Sequence, residues 1–277
     1  MEMKKLALIT SLALLSPQLM AQEAKPADTA APKKANEPTE RYKKAINAFS
    51  NLPEETRVEF LKKRNEAGVL FQNKRIFEAL EATRELNEIF PDDPQVINLR
   101  GACYVELRDF PKAMEQFILS KEITGPSLNV VFNIGEVAFV SGDWKKSLEI
   151  FTEALSLAPE KAMQMKRLVE FKIMLSHIGL SKDESLSADQ RQQHAKKAKE
   201  LAALYDFRDD SPYYYYANAA LQYSLDNKDK GLEYLNKGRR VYSGSAQTIA
   251  SWEDTMTEFG YIKSYYGNEQ KNTSPEQ

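Results

Sequence analysis

Asp143-Trp144-Lys145-Lys146-Ser147-Leu148-Glu149-Ile150-Phe151-Thr152-Glu153-Ala154-Leu155 sets the small residue Ser147 among bulky apolar ones at helical spacing. The pattern recurs upstream: Ala79, Ala113 and Ser147 lie 34 residues apart, as do Ala67, Gly101 and Gly135, and as do Pro91, Gly125 and Pro159. Three registers sharing one period imply stacked structural units. Within a unit the small residues let two helix backbones approach, while Tyr104, Phe110, Phe117, Trp144 and Phe151 fill the space beside them. Arg108-Asp109 and Gly142-Asp143 mark turns between antiparallel helices, and Pro91 and Pro159 stand where a second helix must stop.

Leu99-Arg100-Gly101-Ala102-Cys103-Tyr104, with the stretch from Asp143 to Leu155, resembles the tetratricopeptide repeat. The likeness is strong over residues 94–161 and extends to 60–93, where Ala67 replaces the usual glycine and Leu70 the usual tyrosine. It implies an all-α fold, a right-handed solenoid of antiparallel helix pairs with helical caps. Repeats are expected at 60–93, 94–127 and 128–161, followed by degenerate units at 162–211 and 212–245. The fourth is 50 residues long, and its 16 extra residues are expected between its helices, with Gly179 ending the first in a left-handed cap. Ser187 with Gln190 then forms a capping box that opens the second. Residues 41–59 read as an amino-terminal capping helix region, 246–266 as a carboxy-terminal capping helix and 267–277 as a disordered tail.

In tetratricopeptide proteins the first helices of successive units line a concave groove. Carried over position by position, the resemblance places Arg64, Phe71, Asn98, Val105, Asn129, Phe132, Glu136, Phe139, Lys166, Ile173, Tyr216 and Tyr223 on it. This implies a protein or peptide partner held by aromatic anchors. The competing expectation is that the amino-terminal helix or the packing of the repeats themselves covers these side chains. Clamping of acidic chaperone tails is not expected, because Gly68 and Leu99 stand where that subtype needs asparagine and Asn133 where it needs a basic residue. Tyr213 to Tyr216 point in all directions on a helix; either two pack inside and two lie at a unit interface, or they form a stacking platform for a sugar or peptide.

The amino terminus has Lys4 and Lys5, an apolar run from Leu6 to Leu15, and Ala21 after a short polar stretch, which reads as a secretory signal peptide over residues 1–21. The expected destination is the periplasm or the outside of a bacterial cell. Residues 22–40, rich in Ala, Pro and charge, read as a flexible linker. No later segment is apolar enough to span a membrane. Without residues 1–21 the formal charge becomes minus three, so nucleic acid is an unexpected partner.

No catalytic or cofactor constellation stands out, and no metal site is predicted. His177 and His194, the two histidines, lack ligand spacing; His177 reads as a core side chain and His194 as solvated. Cys103, the one cysteine, is expected to be a buried, inert thiol. The expectation is a scaffold rather than an enzyme, with a soluble helical-repeat protein that binds a ligand or glycan as the alternative.

Overall fold

A computed structural model describes residues 39–263, so the signal, most of the linker and the tail expected from sequence lie outside the described residues. The fold is all-α, and no strand occurs among the described residues. The helices are α1 (Glu40–Ser50), α2 (Glu54–Gln72), α3 (Ile76–Ile89), α4 (Pro94–Glu106), α5 (Phe110–Thr124), α6 (Leu128–Val140), α7 (Trp144–Leu157), α8 (Met163–Ser181), α9 (Ala188–Ala202), α10 (Tyr213–Ser224), α11 (Lys228–Val241) and α12 (Ala246–Glu258). They pair as tetratricopeptide-type hairpins. The pairs α2–α3, α4–α5, α6–α7 and α10–α11 are each joined by three residues.

Those turns share one device. Lys74, Arg108, Gly142 and Asp226 all adopt positive φ, between 61° and 79°. Lys74, Arg108 and Gly142 are 34 residues apart, so the sequence period is also a backbone period. In two of these turns the next residue is an aspartate whose carboxylate accepts from a helix amide: Lys112 N donates to Asp109 and Lys146 N to Asp143.

The chain divides into two compact units, residues up to 137 and residues from 138 on. In the first, Gly101 does what the alternation requires: a Cβ there would meet the Phe117 ring at 2.6 Å. Phe60, Phe90 and Phe49 form a ring cluster with centroids 5.2 to 5.9 Å apart, which seats α1. The hydroxyl of Thr39 donates to the Ile123 carbonyl, and Arg41 pairs with Asp92 at 2.7 Å. The region expected as a capping segment therefore holds α1 and also the opening of α2, which starts at Glu54 rather than near residue 60.

The second unit is built around α8, whose side chains from Arg167 to Leu180 are buried except His177. Gly179 does not cap this helix: α8 runs on to Ser181, and a Cβ at Gly179 would lie 2.5 Å from the Trp144 ring. Glycine is needed there for close helix approach, and Ser147 Oγ and Ser176 Oγ meet at 3.0 Å between the same two helices. The extra length of the fourth unit is spread over the 19-residue α8, the six-residue turn to α9 and the ten residues from 203 to 212. The capping box forms as expected, with Ser187 and Gln190 exchanging side-chain bonds with each other's backbone amides. Ser187→Ala should lower stability by about 1 kcal/mol, read by urea denaturation. An unchanged midpoint would mean that α9 draws nothing from this cap.

Candidate functional site

The twelve groove positions divide by burial. Phe71, Val105, Phe132, Glu136, Phe139, Ile173 and Tyr216 are buried, whereas Arg64, Asn98, Asn129, Lys166 and Tyr223 are half-buried. In the first unit Arg64 reaches Asp93 at 2.9 Å, and Asn133 donates to Asn98 at 2.9 Å. Serine at Phe132 or Phe139 would remove core packing, so those two positions do not separate capture from folding. The half-buried positions do.

In the second unit the face of α8 and α10 is occupied. Helix α12 lies on it through Trp252, with Met256 four positions and Phe259 seven positions further along the same stripe, the last just past the helix end. The Trp252 ring sits 5.2 Å from Phe171 on α8, and 6.1 and 5.8 Å from Tyr213 and Tyr216 on α10. Phe259, just beyond the helix, packs 6.0 Å from Phe139 and 4.9 Å from Trp144. Tyr261 then stacks on Tyr223 at 5.5 Å. The expected carboxy-terminal cap is thus a helix seated across the first helices of the fourth and fifth units.

Two carboxylates fix its register. Glu253 accepts from Arg239 Nε and Nη2 at 2.9 and 2.6 Å and from the Tyr216 hydroxyl at 2.5 Å. Its own hydrogen bonds to Glu253 hold the Arg239 guanidinium more firmly in its charged form, while burial beside Glu253 pushes the Tyr216 phenol well above its ordinary range. Glu258 meets Lys172 at 3.3 Å with both side chains buried, and Lys172 Nζ lies 4.5 Å over the Phe139 ring. Lys172, Arg239, Trp252, Glu253 and Glu258 escaped the sequence reading. The available signal was Lys172 itself, the one cation between Leu168 and Leu175, where Glu170 is the only other charged residue.

Two other groups were misplaced or confirmed. His194 is half-buried rather than solvated, with its Nδ1 2.8 Å from His177 Nδ1. Burial, then His194 and Lys197, hold the His177 pKa down from 6.5 to about 4. A depressed histidine means that the unfolded chain takes the proton first, so stability is present above about pH 6.5 and is lost as pH falls towards 4. His177→Gln should flatten that loss in urea titrations across the window; an equal slope in both proteins would discard the assignment. Cys103 is buried as expected, and burial pushes its thiol up to about 12, leaving negligible thiolate at neutral pH. No group of three or more His, Cys, Asp or Glu side chains clusters among the described residues. No helix among them is long and apolar enough to cross a membrane.

No family model matches the chain. Over 82 residues it is 31% identical to the BBSome complex member BBS4 of Xenopus tropicalis and 27% identical to that of Bos taurus. These alignments cover 30% of this chain and 16% of those proteins, so the chain spans about a sixth of the curated relatives it matches. Among solved structures, a tetratricopeptide repeat protein from Parabacteroides merdae gives a TM-score of 0.47 at 13% identity, covering 78% of this chain and 75% of that one. MamA from Desulfovibrio magneticus gives 0.46 at 16%, covering 68% and 97%. YrrB, described as a tetratricopeptide-repeat protein with an unusual peptide-binding site, gives 0.43 at 16%, covering 74% and 96%. Each is a likeness, and none carries an activity, a ligand or a partner over to this chain.

Proposed function

We propose that this chain is a bacterial protein-interaction scaffold, exported to the periplasm or beyond, that holds a protein or peptide against the first helices of its repeats and performs no catalysis. The observation that carries the reading is the α8–α10 face: it already grips a helix through aromatic rings and two ion pairs, the contacts from which protein interfaces draw most of their energy. The side chains that would carry chemistry are otherwise engaged. Cys103 is buried as the neutral thiol, and the histidines bond to each other. Export rests on the signal-like residues 1–21.

The test is cross-linked capture from bacterial envelope extract with the tagged chain, beside Asn129→Glu and Lys166→Glu variants of the half-buried positions. The scaffold reading expects a defined partner that the variants lose; an identical set of captured proteins from parent and variants would end it. Fusing residues 1–21 to alkaline phosphatase, which is active only outside the cytoplasm, tests export separately, and an inactive fusion rejects it.

The glycan alternative draws on a different surface. Phe207, 63% exposed, lies 6.2 Å from Tyr214, which lies 5.2 Å from Tyr215 and 6.1 Å from Tyr234. Half-exposed rings suit sugar stacking. Calorimetric titration with oligosaccharides, lost on Tyr214→Ala, would favour it over the scaffold.

A further inference from the structure

We infer that α12 is a resident, exchangeable guest of the α8–α10 face, and that the partner it gives way to is an amphipathic helix of the same chemistry. That partner helix carries an aromatic residue, an acid directly after it, an apolar residue four positions along, and a second acid followed by an aromatic. This deepens the scaffold reading and rests on it.

The inference starts from how α12 is held. Helix-in-groove recognition reads anchors at one position and three or four and seven positions beyond it, with flanking charges setting direction. Trp252, Met256 and Phe259 are those anchors, and Glu253 with Arg239 and Glu258 with Lys172 are the charges. An element that merely closed a repeat stack would need an apolar stripe and a polar back. Two acids matched individually to a basic residue on α8 and another on α11 amount to a code, and a code distinguishes one guest from another.

The way α12 is supported fits exchange. Its N-cap, Ser245, makes no side-chain cap hydrogen bond, and its first turn carries no acid, so little local support holds a 13-residue helix together. Its helicity comes from the face it lies on. The grip itself is only partly apolar: separating the buried pair of Lys172 and Glu258 returns hydration to both ions, offsetting part of what their contact contributes. The Tyr261 hydroxyl is buried there with no hydrogen-bond partner among the described residues, a further cost of the seated state.

The probe is a fluorescein-labelled peptide of residues 246–263, used as the surrogate partner on the uniformly ¹⁵N-labelled full chain so that the two copies of α12 are told apart by mass. Saturating peptide should accelerate hydrogen exchange of the chain's own α12 amides, while a scrambled peptide should not. Arg239→Glu weakens the resident α12 and the parent peptide alike. The discriminating probe is therefore a peptide carrying Glu253→Lys, which by anisotropy should bind Arg239→Glu at least tenfold more tightly than it binds the parent chain. Peptide that binds without loosening α12, or a Glu253→Lys peptide that binds parent and Arg239→Glu alike, overturns the inference, as does absence of binding. The exchange measurement needs no variant, so it decides even if Arg239→Glu fails to fold. Envelope capture that persists while the peptide fails to displace α12 removes this inference and leaves the scaffold; displacement without envelope capture does the reverse.

Discussion

Lys172→Met should lower folding stability by about 3–5 kcal/mol, read by urea or thermal denaturation, because it removes the cation that faces the buried carboxylate of Glu258. Lys172 and Glu258 have side chains 0% and 1% exposed and meet at 3.3 Å, so neither charge reaches water while α12 stays seated, and relief comes only by giving up the seat. Methionine restores most of the volume, leaving electrostatics rather than a cavity as the source of the loss. The pair joins residues 86 apart in sequence, so the same change should unseat α12 and quicken its hydrogen exchange. A loss below about 1 kcal/mol would mean that the pair is hydrated in solution, as exposed ion pairs are.

Phe117→Ala should cost about 3–5 kcal/mol, the range for truncating a fully buried phenylalanine. Its ring lies where a Cβ on Gly101 would be, at 2.6 Å, so Gly101→Ala alone should cost about 1–3 kcal/mol through overpacking, despite alanine's better helix propensity. The decisive quantity is the coupling. In the double variant the new methyl enters space that the lost ring vacates, so the combined loss should fall below the sum by about 1 kcal/mol or more. Gly68 is the control: a Cβ there meets nothing within 4 Å, and Gly68→Ala should stabilise by up to about 1 kcal/mol. Additive losses at Gly101 and Phe117 would show that the small and large positions of the repeat do not pack against each other.

These two predictions mark what a sequence reading can reach. Gly101 and Phe117 face each other across adjacent helices, and neighbour packing of that kind repeats with the period, so it was legible, as were the turns at Arg108 and Gly142. Gly179 was misread because glycine near a helix end fits a left-handed cap and a close approach equally well, and only the position of Trp144 decides between them. His177 and His194 met because the six-residue turn after α8 set a hairpin register that no motif encodes. The seat of α12 depends on pairings between residues far apart, such as Tyr216 with Glu253 and Lys172 with Glu258, and those leave no periodic trace. Some of the groove positions carried over from the resemblance, Ile173 and Tyr216 among them, lie on the two helices that α12 covers, but the resemblance does not say which side chains the chain itself buries.

The left-handed turn residues have a thermodynamic corollary. Lys74 and Arg108 occupy a backbone region where a side chain costs roughly 1 kcal/mol and glycine costs almost nothing. Yet Lys74 Nζ reaches Glu106 at 3.2 Å, spanning from the first hairpin to the end of α4. Glycine at that turn would relax one hairpin and sever its tie to the next. The strained residue thus couples the α2–α3 hairpin to the helix that follows it, so that within the first unit the loosening of one is felt by the other.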